Sequence, residues 1–284
     1  MASLIAVGDN TLDVYLDQHL EYPGGNALNV AVFAARLGAR SAYLGCVGSD
    51  RYGQYLLDCL QQEAVDVARC SRLDGANGWA CVDSINGERL FLGSDPGVCR
   101  QLRLEPDDLA YIATFALAHS SLYSGLEHQL AQIRQASGCL SFDFSDNWVE
   151  FDWQALIQQV DIAFFSAPDL SSSEAHDLAQ AMRARGPVVV VITRGALGAL
   201  AVDAQGVHEQ PAQPCAFVDS MGAGDGFIAA FLLAWQARHP LAECLSRGVE
   251  HAGQVCGWAG GFGHGQAVDS ERVQQLKHAL NLQG

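Results

Sequence analysis

The segment Asp-Ser-Met-Gly-Ala-Gly-Asp at residues 219–225 directly precedes an apolar run that ends at Trp235. Glycine lets a ligand approach the backbone closely, and the first amides of a helix have no partner within the helix. Together with the positive helix end, these amides favour a phosphate. Asp225 beside that phosphate would accept a proton from an attacking hydroxyl, which is the chemistry of phosphoryl transfer. Close packing alone is the alternative reading of such a glycine-rich turn.

A second segment, residues 24–31, reads GGNALNVA and has Gly38 and Gly48 downstream. The two segments closely resemble the two signatures of the PfkB (ribokinase-like) carbohydrate kinase family, from Gly24 to Gly48 and from Asp219 to Leu232, without a gap. The resemblance covers nearly the whole chain, since further family features occur in the expected order: Gly8, Asp13, Asp50, Gly53, Thr193, Gly195 and Gly198.

Composition limits the classes of function. The chain has 284 residues, of which 49% are apolar and 17% are charged, so it can bury a substantial core. Its net charge of −16 disfavours nucleic acid and anionic membranes as partners. Lys277 is the only lysine, which excludes a Walker A loop and a protein-kinase site, because both need a lysine beside the phosphates.

Cysteines and histidines indicate neither disulfides nor a zinc site. The nine cysteines contain no CxxC pair and the nine histidines no HExxH set. Reduced, mostly buried thiols are typical of a cytoplasmic protein. The N-terminus lacks the features of a signal peptide, and the apolar run from Phe227 to Trp235 is too short to span a bilayer.

Alternating strand and helix patterns predict an α/β fold, with a mostly parallel sheet covered by helices on both faces. The sequence predicts helices over 26–37 and 53–63, and strands over 3–7, 41–47, 116–119, 139–144, 162–165 and 188–193. A hairpin is predicted around a turn at Asn86 and Gly87. We expect one domain over residues 1–284. The resemblance implies a small β-lid made of residues 11–24 and 74–100, approximately.

The resemblance also implies residue roles. Asp225 matches the catalytic base, and the amides of Gly222, Ala223, Gly224 and Asp225 match an anion hole for the transferred phosphoryl group. Residues that match sugar contacts are Asp13, Gly25, Asn26, Asn29 and, from the lid, Arg89. Residues that match the nucleotide site are Thr193, Gly195, Gly198, Gly248, Ala252 and Gln254. Structural roles are the alternatives: Asp13 as a turn cap, Asn29 as a backbone partner, and Arg89 and Arg194 as surface arginines.

Two positions depart from the family pattern. A polar motif associated with Mg²⁺ would fall at residues 166–169, which read Ser-Ala-Pro-Asp, so protein ligands to a metal stay unknown. Magnesium is still expected on ATP, because it binds chiefly through phosphate oxygens and water. A monovalent cation is left open. Asn26 stands where ribokinases have lysine, which argues against ribose.

Within the family, the chain most resembles kinases that phosphorylate fructosamines such as fructoselysine. The matching residues are Gly8 to Asn10, Gly24 to Val32 with Asn26 among them, Phe142 to Asp146, Trp148, Ser166 to Pro168 and Met221. We therefore expect an ATP-dependent kinase acting on a primary hydroxyl of a sugar or sugar-amine. The alternatives are another sugar or nucleoside as substrate, and a noncatalytic sensor. A Rossmann dehydrogenase would need a GxGxxG motif after the first strand, which is absent. Pairing of lids into a homodimer is left open.

Overall fold

The computed structural model describes residues 2–85, 88–146, 148 and 153–282, without the side chains of residues 84, 85, 88 and 89. Within that part of the chain the strands are β1 (Ser3–Gly8), β2 (Thr11–Tyr15), β3 (Leu20–Gly24), β4 (Arg40–Gly48), β5 (Ser71–Leu73), β6 (Asn77–Ile85), β7 (Glu88–Gly97), β8 (Leu117–Ser121), β9 (Leu140–Asp143), β10 (Ile162–Ser166), β11 (Val189–Thr193), β12 (Ala199–Val202), β13 (Val207–Gln210) and β14 (Gln266–Ala267). The helices are α1 (Asn26–Arg36), α2 (Arg51–Gln62), α3 (Pro106–Ile112), α4 (Leu130–Ala136), α5 (Ser172–Arg183), α6 (Ala223–Gln236), α7 (Leu241–Val255) and α8 (Ser270–Ala279).

The larger sheet has nine strands in the order β13-β12-β11-β10-β9-β8-β1-β4-β5. Neighbouring strands pair in parallel from β11 to β5, whereas β12 runs antiparallel to both of its neighbours, β11 and β13. In β1, Leu4 and Ala6 enter one hydrophobic core and Ile5 and Val7 enter the other, and all four are fully buried. Helices therefore cover both faces, which confirms the predicted fold class.

The smaller sheet, here called the lid sheet, has the order β14-β3-β2-β6-β7. The predicted hairpin is formed by β6 and β7, which pair from Asn77 opposite Gly97 to Ile85 opposite Glu88. Its predicted turn at Asn86 and Gly87 lies outside the described residues. The sequence did not predict β14, which comes from residues near the C-terminus and pairs with β3.

Element boundaries depend on caps and on strand pairing. Helix α2 begins at Arg51, two residues before the prediction, because the Asp50 carboxylate accepts hydrogen bonds from the amides of Tyr52 and Gly53. Strand β8 continues to Ser121, two residues beyond its predicted end. Among the described residues, no helix is both long and apolar enough to cross a membrane.

Candidate active site

The predicted base and its neighbours lie at the carboxyl ends of β1, β8 and β9, where the helices α1 and α6 begin. Strands β8 and β9 are neighbours in register, with His119 opposite Ser141 and Ser121 opposite Asp143. Side chains alternate between the faces of a sheet, so these four polar groups share the face that α1 covers. Ligands bind at this edge in open α/β sheets.

Asp9, which directly follows β1, fixes the start of α1. Its carboxylate accepts hydrogen bonds from the amides of Asn26 at 2.7 Å and Ala27 at 3.3 Å. The hydroxyls of Ser121 and Ser124 donate to the same carboxylate at 3.1 and 3.0 Å. Asp9 therefore caps the N-terminus of α1 from another segment of the chain.

Gly25 occupies the N-cap position of α1 with φ of +103° and makes no side-chain cap. A Cβ placed there would lie 2.6 Å from the Cα of Asn10. Only glycine fits this backbone without strain, because L-residues with side chains rarely adopt that φ. The Gly24-Gly25 pair thus brings the backbone against the β1–β2 turn and directs Asn26 and Asn29 into the site.

Helix α6 begins at the predicted anion hole. Gly222 is its N-cap, with φ of +73°, and a Cβ there would lie 3.0 Å from the Cα of Gly261. The Ala223 amide donates to the Ser220 carbonyl at 3.1 Å, whereas the space beside the Gly224 Cα is open. Residues Gly226 to Leu232 are buried and pack the helix into the core. The first turn of α6 consequently faces open space with its positive end.

Two asparagines of α1 hold the Asp225 carboxylate. Asn26 Nδ2 donates to its Oδ1 at 2.8 Å and Asn29 Nδ2 donates to its Oδ2 at 2.7 Å. Asn26 Nδ2 also donates to Asp143 Oδ2 at 2.9 Å. The sequence analysis placed Asn26, Asn29 and Asp225 in one site, and the structure brings all three into direct contact. Asp143 joins them through Asn26.

Asp9, Asp143 and Asp225 form a carboxylate cluster. None of the ion pairs among the described residues includes any of the three. Burial raises the pKa of Asp225 well above its usual value, and the charges of Asp143 and Asp9 raise it further. The hydrogen bonds from Asn29 and Asn26 act in the opposite direction. A carboxylate with a raised pKa is a stronger base towards a hydroxyl.

Asp143 is similarly perturbed. Burial raises its pKa to about 7, and the neighbouring charges of Asp9 and Asp146 add to that effect. The Ser145 amide, which donates to Asp143 at 2.8 Å, lowers the pKa. Asp143 can therefore change its protonation state near neutral pH, and a cation beside it would favour the ionised form.

The lid sheet supplies further predicted residues. Asp13 lies in β2 opposite Tyr22, is only 3% exposed, and its carboxylate lies against Gly24 at the start of the predicted sugar site. The Arg89 backbone lies in β7 opposite Ser84, but its side chain is outside the described part of the protein.

A hydrogen bond joins the lid sheet to the loop before α6. The Tyr15 hydroxyl, at the end of β2, donates to Asp219 Oδ2 at 2.8 Å. The amides of Gly260 and Met221 donate to the same carboxylate at 2.9 and 2.6 Å. Asp219 therefore connects the lid sheet to the backbone of the predicted anion hole.

Residues predicted to bind the nucleotide lie in two regions. Thr193 ends β11, and Gly195 and Gly198 bound the short turn that follows, with φ of +54° and +94°. The other three residues are on α7, which packs on β12 and β13.

The three α7 positions differ in exposure. Gly248 is buried, and a Cβ there would lie 2.7 Å from the Phe227 ring, so this glycine allows α6 and α7 to pack closely. Ala252 is half-buried, and the exposed Gln254 has its Oε1 3.2 Å from His251 Nδ1. The loop before α6 contacts the C-terminal end of α7. There the Val218 amide donates to the carbonyl of Cys256, the C-cap of α7, at 2.8 Å.

Side-chain ligands for a metal are sparse here. Of residues 166–169, Ala167 is buried, Asp169 is exposed, and the Ser166 carbonyl accepts a hydrogen bond from Trp148 Nε1. In the described part of the chain, no three His, Cys, Asp or Glu side chains form a metal-binding group. These residues suit a Mg²⁺ held by nucleotide phosphates and water, and they do not form a protein cage.

Sequence reasoning missed the role of Asp9 and the participation of His119, Ser121 and Ser141. A signal was present: His119 and Ser121 occupy alternate positions of the buried strand β8, and Ser141 and Asp143 alternate with apolar residues in β9. Polar residues at alternate positions of a fully buried strand indicate a shared polar network.

Comparisons with known proteins agree with this geometry. The profile of the pfkB family carbohydrate kinases matches residues 2–261. Fructosamine kinase FrlD of Bacillus subtilis (strain 168) is 41% identical over 266 residues, which cover 92% of this chain and 93% of that protein. Fructoselysine 6-kinase of Escherichia coli (strain K12) is 32% identical over 262 residues, covering 92% and 100%.

The fold has relatives among solved structures. A structure of Arabidopsis thaliana ribokinase complexed with ribose and ATP superposes with a TM-score of 0.80 at 18% identity, covering 97% of this chain and 99% of that one. The chain therefore belongs to the pfkB family and is an ATP-dependent carbohydrate kinase.

Proposed function

We propose that this kinase transfers the γ-phosphate of ATP to the 6-hydroxyl, a primary hydroxyl, of a fructosamine such as fructoselysine. The observation that carries the proposal is the position of Asp225 in the first turn of α6, held by two asparagine amides and next to Asp143. The similarity of the chain to a fructosamine kinase and a fructoselysine 6-kinase supports the substrate class.

In the proposed mechanism, Asp225 is the general base. The substrate hydroxyl gives its proton to the carboxylate while its oxygen attacks the γ-phosphorus, and ADP leaves. General-base assistance of this kind is worth about 10² to 10⁴ in rate. Amides of Gly222, Ala223, Gly224 and Asp225 form the anion hole, to which Ala223 contributes once its bond to Ser220 opens. Magnesium on ATP supplies charge neutralisation.

The carboxylate cluster favours a sugar that carries a positive charge. A fructosamine has a secondary ammonium group, and no basic side chain pairs with Asp9, Asp143 or Asp225 among the described residues. Because Asp143 titrates near neutral pH, an ammonium group beside it would hold it ionised. A neutral sugar lacks that attraction.

Sugar hydroxyls have further partners. Asn29 Oδ1 is buried and has no hydrogen-bond partner within the described part of the protein, so it is a ready acceptor for a substrate hydroxyl. Asp13, Gly25 and Asn26 complete the proposed sugar site, with Arg89 contributed by the lid.

The proposed nucleotide site consists of Thr193, Gly195, Gly198, Gly248, Ala252 and Gln254. We place the kinase in the cytoplasm, and its nine cysteines are all free. We propose one domain over residues 1–284, with lid segments near 11–24 and 74–100. The proposed small-molecule partner is a sugar or sugar-amine, and we propose neither nucleic acid nor membranes as partners. A homodimer through the lid is an alternative to a monomer.

The test is ADP release from ATP and Mg²⁺ with a panel of acceptors: fructoselysine, other fructosamines, fructose, ribose, fructose phosphates and nucleosides. Selective turnover of a fructosamine is expected. Preference for a neutral sugar or a nucleoside would reject the substrate class and keep the kinase. ATP binding without turnover of any acceptor would favour a noncatalytic sensor.

A further inference from the structure

A chain of hydrogen bonds leads from the core of the large sheet to the proposed base. Ser141 Oγ lies 2.9 Å from His119 Nδ1, and His119 Nε2 lies 2.9 Å from Asn26 Oδ1. The amide nitrogen of Asn26 then donates to both Asp143 and Asp225. His119 and Ser141 are fully buried, and they are partners in the β8–β9 register.

The direction of every hydrogen bond in this chain is determined. Both hydrogens on Asn26 Nδ2 are used by carboxylates, so Asn26 Oδ1 must accept from His119. Burial lowers the pKa of His119 to about 3, and a neutral ring has one N–H, which is therefore on Nε2. Nδ1 is then an acceptor, and the Ser141 hydroxyl donates to it at 2.9 Å, a shorter contact than the 3.3 Å to its other acceptor, the Ala118 carbonyl.

We propose that His119 is a positioning residue, which fixes the orientation of the Asn26 amide so that its nitrogen faces the base Asp225. A flipped amide would direct Asn26 Oδ1 at two carboxylates and leave the His119 N–H facing a donor. The inference rests on the proposed role of Asp225 as base. It adds a residue that touches neither substrate nor nucleotide.

The pH dependence of the reaction follows from the groups around Asp225. Burial raises the pKa of Asp225 most, and Asp143, from β9, and Asp9, from the β1–β2 turn, raise it further, whereas Asn29 and Asn26, both from α1, lower it. If the Asn26 amide loses its alignment, one of the two lowering contacts is lost. The acid limb of kcat, below which the base is protonated, then moves to higher pH.

The experiment compares kcat against pH for fructoselysine phosphorylation in four variants. His119→Leu and Ser141→Ala break the chain, His119→Gln retains an N–H donor for Asn26, and Ser120→Ala is the matched control. Ser120 lies on the opposite face of β8, and its buried hydroxyl has no hydrogen-bond partner within the described residues. Asp225→Asn, which removes the base itself, tests the proposed function separately.

In His119→Leu and Ser141→Ala the acid limb should move up by about one pH unit, which is about a tenfold loss of rate on that limb. His119→Gln and Ser120→Ala should keep the wild-type profile. An unmoved limb in Ser141→Ala, or an equal shift in Ser120→Ala, would overturn the inference. Ser141→Ala decides the question if His119→Leu does not fold, because it leaves the ring in place.

A second readout needs no substrate. Nitrogen-15 NMR of labelled histidine should show His119 protonated at Nε2 and not titrating between about pH 5.5 and about pH 8. An Nδ1–H tautomer would overturn the inference even if fructoselysine turnover and its loss in Asp225→Asn confirm the proposed function. Conversely, an active Asp225→Asn variant would reject the base and with it the catalytic part of the inference, whereas the Nε2–H tautomer would still support the orientation of the Asn26 amide.

Discussion

Replacing Asp225 by asparagine should strongly slow turnover and, near pH 8, stabilise the fold. The variant can keep its packing, because Asn29 Oδ1 is unpartnered within the described residues. A flip of the Asn29 amide lets that oxygen accept from the side-chain nitrogen introduced at position 225, while Asn26 continues to donate to the new carbonyl oxygen. We expect kcat to fall by about 10³, the scale of a lost general base.

The stability gain comes from removing a buried, repelled charge. Asp143 Oδ2 and Asp225 Oδ1 accept from the same nitrogen at 2.9 and 2.8 Å, which separates the two oxygens by about 5 Å for a planar amide. Two unit charges at about 5 Å repel by about 1 kcal/mol in water and by about 3 kcal/mol at an effective dielectric constant of about 20. The variant gains stability because the repulsion and the cost of burying a charge are both removed. Its hydrogen bonds to a neutral acceptor are weaker, which offsets about 2 kcal/mol of that gain.

A net gain of about 1 kcal/mol in the free energy of unfolding is therefore expected near pH 8, or about 2 to 4 °C in Tm. The pKa of Asp225 is raised in the folded state, so its penalty is absent below the ordinary pKa of an aspartate. The penalty grows as the pH rises towards the raised value. The advantage of the variant should accordingly shrink towards about pH 5.5.

The assays are calorimetric or denaturant unfolding of both proteins at the two pH values, with ADP release and ATP binding measured on the same samples. Ser120→Ala is the control for a polar substitution near the site. Turnover within tenfold of wild type would refute the assignment of Asp225. A pH-independent loss of stability would refute the electrostatic reasoning, because a misfolded or strained variant suffers at every pH.

Three further outcomes are expected. In the wild-type enzyme, kcat/KM should fall on the acid side at a pH well above the ordinary aspartate pKa, since the base must be ionised and its pKa is raised; a limb near pH 4 would contradict this. Gly25→Ala should lose about 2 to 3 kcal/mol in denaturant unfolding, because of its φ of +103° and the approach to Asn10 Cα, whereas Gly38→Ala, with open space around it, should lose less. Tyr15→Phe should lower kcat several-fold and speed hydrogen exchange in the loop before α6, and unchanged exchange there would show that the bond to Asp219 does not couple lid and loop.

Local chemistry in the sequence was sufficient for much of the fold and part of the site. Continuous apolar runs predicted β1, β10 and β11, since strands buried on both faces need apolar side chains throughout. The glycines before α1 and α6 predicted both helix starts, because a positive φ and close backbone approach are local requirements. Asp225, Asn26 and Asn29 were assigned to one site through the family resemblance.

Tertiary structure alone decided which distant groups meet. Asp9 caps α1 across 17 residues, Asn26 reaches Asp225 across 199 residues, and β14 completes the lid sheet from two residues that carry no pattern of their own. The pairing of β8 with β9 placed His119 opposite Ser141, and the docking of α1 placed Asn26 above them. Propensity and periodicity act over a few residues, whereas the register between strands and the packing of helices on a sheet depend on the whole core. The raised pKa of Asp225 also depends on the tertiary structure, because its burial and the approach of Asp9 and Asp143 exist only in the folded chain.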